Sequence, residues 1–291
     1  MKTLNIPLTR PSLLAAAATL ALGALAPVRG ATLVELDELT RPPTTGANTF
    51  LLGVNNTPPV TWTTDTGTAT FTARSGYLVV YFDTVSLANI GDSVSFNYTA
   101  KFINFDITNN GLRLGLLNND ANTQITADST NTNISDADDY TGYIGMFRVG
   151  SSAASGSIVR RINEGTAQLL GGAAITGAKS LATDLPGAGY TDPAVSHTGS
   201  FSVTRTGLNE VTISNQFGSA TIESGIDTGT GLVTQFNTLA IFATRAGATD
   251  QAASIEFSQF EITTIPEPGS VALTLGGFGA AALAMVRRKR R

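Results

Sequence analysis

Asp136-Ala137-Asp138-Asp139 sets three carboxylates within four residues, and Asn118-Asn119-Asp120 supplies further oxygens upstream. Hard oxygen ligands on loops suit Ca2+, and extracellular calcium levels suit a site of modest affinity. Asp136, Asp138 and Asp139 are the expected metal ligands, although the glycine an EF-hand needs at its sixth position is absent. A solvated acidic turn is the competing reading. Tyr140 and Tyr143 follow the acidic run, and Trp62 is the single tryptophan. An exposed aromatic flanked by Asn and Asp can stack on a pyranose face. Trp62, Tyr140 and Tyr143 are therefore the expected carbohydrate-binding residues, whereas strand aromatics such as Tyr98 and Phe96 are expected in the core.

Other chemistry finds little support. His197, the single histidine, lies in Val195-Ser196-His197-Thr198-Gly199, which reads as a loop before a strand. A zinc site needs three or four clustered ligands, and none cluster there. A Ser-His-Asp site would have to use His197 without a Gly-x-Ser-x-Gly elbow. Gly172 to Ser180 nearly spells a phosphate-binding loop, but Ala178 stands between the second glycine and Lys179.

Both ends of the chain read as targeting segments. Lys2 and Arg10 precede an apolar stretch from Leu13 to Ala26, followed by Val28 and Gly30 at signal-peptidase spacing. Residues 1–30 are expected to be a signal peptide cut after Gly30, with an uncleaved anchor as the alternative. At the other end Ile265-Pro266-Glu267-Pro268-Gly269-Ser270 leads into an uncharged run, Val271 to Val286. As a helix its sixteen residues would reach roughly 24 Å, a little short of the ~30 Å hydrocarbon core. Arg287, Arg288, Lys289, Arg290 and Arg291 then form a basic end that can snorkel to headgroups and mark the cytoplasmic side. Residues 271–286 are expected to be a transmembrane helix, and 287–291 its cytoplasmic stop signal. A plain tail anchor is the alternative.

Pro266, Glu267 and Pro268, the short span and the Arg-rich end together resemble the PEP-CTERM sorting signal of Gram-negative bacteria. That resemblance covers about 9% of the chain, residues 265–291. It implies export, transient anchoring in the inner membrane and recognition by exosortase. The outer surface or an extracellular polymer matrix, commonly in species that make exopolysaccharide, would be the destination. In that reading the motif is a substrate for another enzyme and carries no catalytic residue of its own.

Between the ends lies a body of about 235 residues, long enough for one domain with a substantial core. Eight of the 18 basic residues but only Glu267 of the 22 acidic ones lie in the ends. The body therefore holds ten basic and 21 acidic residues, about −11 in net charge. That sign argues against nucleic-acid partners. There is no cysteine, so no disulfide staples the fold.

The body reads as all-β. Val94, Phe96, Tyr98, Ala100 and Phe102 alternate with polar residues, as do Leu112, Leu114 and Leu116. Phe201 with Val203 and Val211 with Ile213 follow the same period, and Thr206-Gly207-Leu208-Asn209 has turn chemistry. Tyr77 to Phe82 is continuously apolar, as in a strand buried on both faces. Ile255 and Phe257 share one parity, Phe260 and Ile262 the other. The change predicts a β-bulge at Ser258-Gln259, or else a strand buried on both faces. Residues 40–49 and 171–192 are expected to be irregular. A single β-sandwich or jelly roll over residues 31–264 is the expected architecture.

Ser93 to Phe105, Gly111 to Asn118, Tyr140 to Val149, Leu239 to Thr244 and Ile255 to Ile262 together resemble the concanavalin A-like lectin/laminin-G superfamily. That resemblance implies carbohydrate binding. Glucan-cutting members carry Glu-x-Asp-x-x-Glu on one strand, and here Glu35-Leu36-Asp37-Glu38 lacks the second glutamate at that spacing. The expected function is that of an exported surface or matrix protein with a non-catalytic structural or adhesive domain. A carbohydrate-binding module for exopolysaccharide, with Ca2+ organising its loops, is the alternative, and a glycoside hydrolase with dispersed carboxylates the third.

Overall fold

Period-two alternation is realised as two antiparallel sheets closed over a common core. The computed structural model describes residues 30–39, 49–54, 61–63, 66–71, 75–104, 112–119, 124–125, 139–147, 155–161, 169–170, 179–186, 195–218, 221–244 and 253–265. Its strands are β1 (Ala31–Glu35), β2 (Thr49–Val54), β3 (Thr61–Thr63), β4 (Thr68–Phe71) and β5 (Ser75–Ser86). They continue as β6 (Ser93–Ile103), β7 (Leu112–Asn118), β8 (Thr141–Phe147), β9 (Ser155–Arg161) and β10 (Lys179–Pro186). The last five are β11 (His197–Gly207), β12 (Glu210–Phe217), β13 (Thr221–Thr228), β14 (Gln235–Thr244) and β15 (Ala253–Ile265). A short 3-10 turn spans Leu36–Glu38, and among the described residues no helix is long and apolar enough to cross a membrane. The expected membrane helix, 271–286, lies outside the described residues.

The eight-stranded sheet runs β13-β12-β11-β6-β15-β4-β3, with β1 added on β15; the seven-stranded sheet runs β10-β9-β8-β7-β14-β5-β2. Alternate residues of β6 from Val94 to Phe102 point into the core, with Phe201, Val203, Val211 and Ile213 beside them. From the other sheet come Leu78, Val80, Leu112, Leu114, Leu116, Leu239 and Ile241. Each large apolar side chain so buried contributes about 1.5–3 kcal/mol, offset by the entropy of ordering the chain.

Three sequence expectations meet the structure here. The register of β15 against β6 slips between Phe257 and Gln259, as the parity change implied, and both Ser258 and Gln259 face solvent. Strand β5 is buried on both faces: Leu78 and Val80 enter the shared core, while Tyr77, Val79 and Tyr81 join a second cluster on the far side. The expectation of an irregular stretch over 171–192 is corrected, because β10 spans Lys179–Pro186 and pairs with β9. Its register breaks twice, between Ser180 and Ala182 and between Thr183 and Leu185, which blurs the period a sequence reading relies on. The near phosphate-binding loop thus ends inside a strand, its earlier residues lying outside those described.

Candidate functional site

The three aromatic residues expected to meet sugar are all in the interior, a correction to the sequence reading. Trp62 is 7% exposed; its indole Nε1–H donates to the Leu39 carbonyl at 2.9 Å and its ring tilts against Phe257. Tyr140 is fully buried, with its hydroxyl 2.6 Å from that of Tyr81, and Tyr81 Oη accepts from the Ile125 amide at 2.9 Å. Tyr143, also fully buried, donates to Asp227 Oδ2 at 3.1 Å and accepts from the Val233 amide at 3.2 Å. Polar tips are satisfied inside the fold, so none of these rings is an open stacking platform.

Of the expected calcium ligands, Asp139 is exposed on a turn before β8, and Asp136 and Asp138 lie outside the described residues. Asn119 is buried, its backbone amide donating to Asn237 Oδ1 at 2.9 Å and its carbonyl accepting from Asn237 Nδ2 at 3.2 Å. Among the described residues no group of three or more His, Cys, Asp or Glu is placed to hold a metal ion. His197 opens β11 instead of lying in a loop, and its ring stacks on Phe217 with centroids 5.1 Å apart. Pro266, Glu267, Pro268 and Arg287 to Arg291 lie outside the described residues.

Among the described residues a polar network spans the two sheets. Arg160 Nη1 donates to Asp227 Oδ2 at 2.8 Å, so β9 and β13 are tied across the two sheets, with Tyr143 sharing the same oxygen. Burial first, and then the Asp227 charge, push the Tyr143 hydroxyl above the usual phenol range. Burial raises Tyr98 as well, and carries Tyr77 to about 12. These phenols stay protonated at physiological pH and serve packing.

The far side of the seven-stranded sheet is roofed. Leu169, Leu170 and Ile125 cover Ile144, Met146, Val159 and Phe242. Arg113 Nη1 donates to the Leu170 carbonyl at 2.5 Å and its guanidinium lies 4.7 Å from the Phe242 ring centre. Gly115 makes room for the roof: a Cβ there would stand 2.7 Å from Leu170 Cδ2.

The outer face of the eight-stranded sheet is the opposite case. Ser224, Ser214, Ser202, Ser95, Thr263 and Thr32 follow one another in register across six strands. The next row is Gln216, Ser200, Asn97, Glu261 and Glu35, and a third is Thr198, Thr99 and Gln259. All of these are partly or fully exposed. Neighbours within a row stand at the ~4.8 Å strand spacing, so apart from the Glu261 and Glu35 carboxylates the face is a lattice of short hydroxyl and amide groups that can both donate and accept. Neighbours already exchange some bonds, Thr99 Oγ1 to Gln259 Oε1 at 3.1 Å and Asn97 Nδ2 to Thr263 Oγ1 at 3.4 Å.

Two hollows adjoin the bulge at Gln259. A hollow of about 340 Å³ is lined by Asn97, Thr99, Ser200, Gln216, Gln259 and Glu261. A larger one of about 810 Å³, lined by Glu35, Asp37, Thr66, Ser258, Gln259 and Glu261, shares its last two residues. Register also brings Glu35 directly opposite Glu261, which accepts from Thr32 Oγ1 at 2.9 Å. Sequence reasoning missed this face because its residues are ordinary strand polar positions; only the lateral order of the strands assembles them.

No protein-family model matches the sequence, and no curated protein matches it. Solved structures give likenesses to lectin and glucanase sandwiches of the concanavalin A-like type. The carbohydrate recognition domain of Emp47p is 15% identical, with TM-score 0.48, covering 81% of this chain and 95% of that one. The endo-1,3-beta-glucanase from Streptomyces sioyaensis is 11% identical, with TM-score 0.48 and coverage of 83% and 99%. Lectin I-B4 from Griffonia simplicifolia is 10% identical, with TM-score 0.41 and coverage of 81% and 100%. With every one of these scores below 0.5, the two-sheet architecture rests on the strand pairing itself.

Proposed function

We propose that the chain is an exported surface or matrix protein, sorted through residues 265–291 by an exosortase-type enzyme, whose β-sandwich serves a structural or adhesive role. Signal peptidase and the sorting enzyme are its processing partners, and the membrane holds it only in transit. The observation that carries this reading is the fit of the domain between its two ends. The first strand starts at Ala31, one residue after the expected cleavage site, and the last ends at Ile265, directly before Pro266. Intact mass and fractionation in the host, with and without the sorting enzyme, test it. A mature form lacking both ends in the outer envelope or matrix, lost without the enzyme, is expected. A protein that keeps Arg287 to Arg291 in the inner membrane would make the tail a plain anchor and remove the matrix reading.

A second reading, recognition of a neutral polysaccharide, is favoured by the hydroxyl and amide lattice on the eight-stranded sheet. Such a face offers sugar hydroxyls both donors and acceptors but lacks an aromatic among its described residues. Each contact would be weak and retention would come from many contacts along one polymer. Asn97→Lys and Ser200→Lys, which fill the smaller hollow, should reduce retention on immobilised exopolysaccharide several-fold. Unchanged retention would remove the face from the reading.

A further inference from the structure

The two chain ends of the domain leave it at one corner. Ala31 is in register with Thr264, Thr32 with Thr263, Val34 with Ile262 and Glu35 with Glu261. Gly30 continues the contact, since a Cβ there would stand 2.8 Å from the Thr264 carbonyl oxygen and 3.0 Å from Ile265 Cγ1. The other edge of the same stretch is taken by β6, from Asn97 opposite Glu261 to Ser93 opposite Ile265. The last residues before Pro266 are therefore held from both sides.

The two holders differ in strength. Strand β6 lies in mid-sheet, pairs along the full length of β15 and is anchored by Val94 and Phe96 in the core. Strand β1 is five residues long, slips register between Thr32 and Val34, and buries only Val34. It also sets the Glu35 carboxylate opposite that of Glu261, and like charges directly opposite weaken a strand pair. A short edge strand with one buried side chain belongs to the part of a fold that opens locally before the rest.

We infer that β1 is a strap over the exit of the C-terminal tail. Docked, it keeps Glu261–Thr264 in three-strand pairing and withholds them from any enzyme that must pair with an open strand edge. Undocked, it frees one edge and lets the end of β15 peel from β6. Gly30 and Ala31 form the expected signal-peptide junction, so N-terminal processing there would make Ala31, the first residue of the strap, a free chain end. Removal of one end thereby bears on the presentation of the other. The inference rests on the proposed reading of Pro266 to Pro268 as a sorting motif. Strap opening can be measured without that motif being used.

Because the chain has no cysteine, Thr32→Cys with Thr263→Cys forms a clean cross-link across the strap. The purified full chain, in detergent, is digested briefly with proteinase K, and cuts between 261 and 267 are mapped by intact mass. Oxidised double variant should be cut there roughly tenfold more slowly than the same protein under reductant, and Val34→Asp roughly tenfold faster than the natural sequence. Equal rates in the oxidised and reduced forms overturn the strap, whether or not Val34→Asp folds. Tail loss in the host is followed in parallel: if proteolysis responds to the cross-link while no tail is lost in any form, the sorting reading fails and the strap stands.

Discussion

The two sheets share one core yet treat their outer faces in opposite ways. On the seven-stranded sheet the outer face is apolar and roofed by Leu169, Leu170 and Ile125. On the eight-stranded sheet it is rows of Ser, Thr, Asn and Gln left to solvent. A sheet buried on both faces gives its side chains to stability and has none to spare for a partner. A sheet buried on one face can change the other at little cost, which is where interaction chemistry is free to evolve.

The contrast is sharpest in substitutions. Asp227→Ala should cost about 3–5 kcal/mol in urea unfolding, because it strands Arg160 and the Tyr143 hydroxyl between the sheets. A loss under ~1 kcal/mol would mean that the inter-sheet network is not what holds β9 to β13. Leu170→Ala should cost about 2–4 kcal/mol if the roof is a true second core. A near-neutral result would reopen that face as a surface.

Alkaline pH acts on the same buried region. Unfolded tyrosine loses its proton near pH 10, whereas burial holds Tyr77 protonated to about 12. Between those values the unfolded state binds fewer protons, so stability falls as pH rises, by on the order of 2–3 kcal/mol from Tyr77 alone. Below pH 10 this group adds no pH dependence. Melting temperature followed from pH 9 to 12, with phenolate absorbance, checks it: Tyr77 should ionise only together with unfolding. At the other extreme, Ser202→Ala on the outer face of the eight-stranded sheet should leave stability within about 0.5 kcal/mol. A larger loss would show that the polar lattice is part of the scaffold and erase the distinction between the sheets.

Much of this arrangement was legible one strand at a time. The alternation along Ser93–Ile103, the doubly buried run from Tyr77 and the parity change at Ser258 each reflect a local period that burial enforces. The aromatic residues were misread for a related reason. Tyr140 follows an acidic run and Trp62 lies among threonines, so their sequence neighbours are polar, while their partners Tyr81 and Leu39 lie 59 and 23 residues away. Likewise Glu35 meets Glu261 only because an edge strand from one end of the chain pairs with the last strand from the other.

By itself the sequence determined the period of strands such as β6, β7 and β11, the acidic balance of the body and the absence of disulfides. These depend on residue types and short spacings, which a chain carries before it folds. The tertiary structure decided which strands lie side by side, and with them the roofed face, the polar lattice, the inter-sheet Arg160–Asp227 pair and the corner where β1 meets β15. Lateral strand order joins residues separated by most of the chain. No local period encodes that order, because any alternating strand offers the same two faces to every possible neighbour.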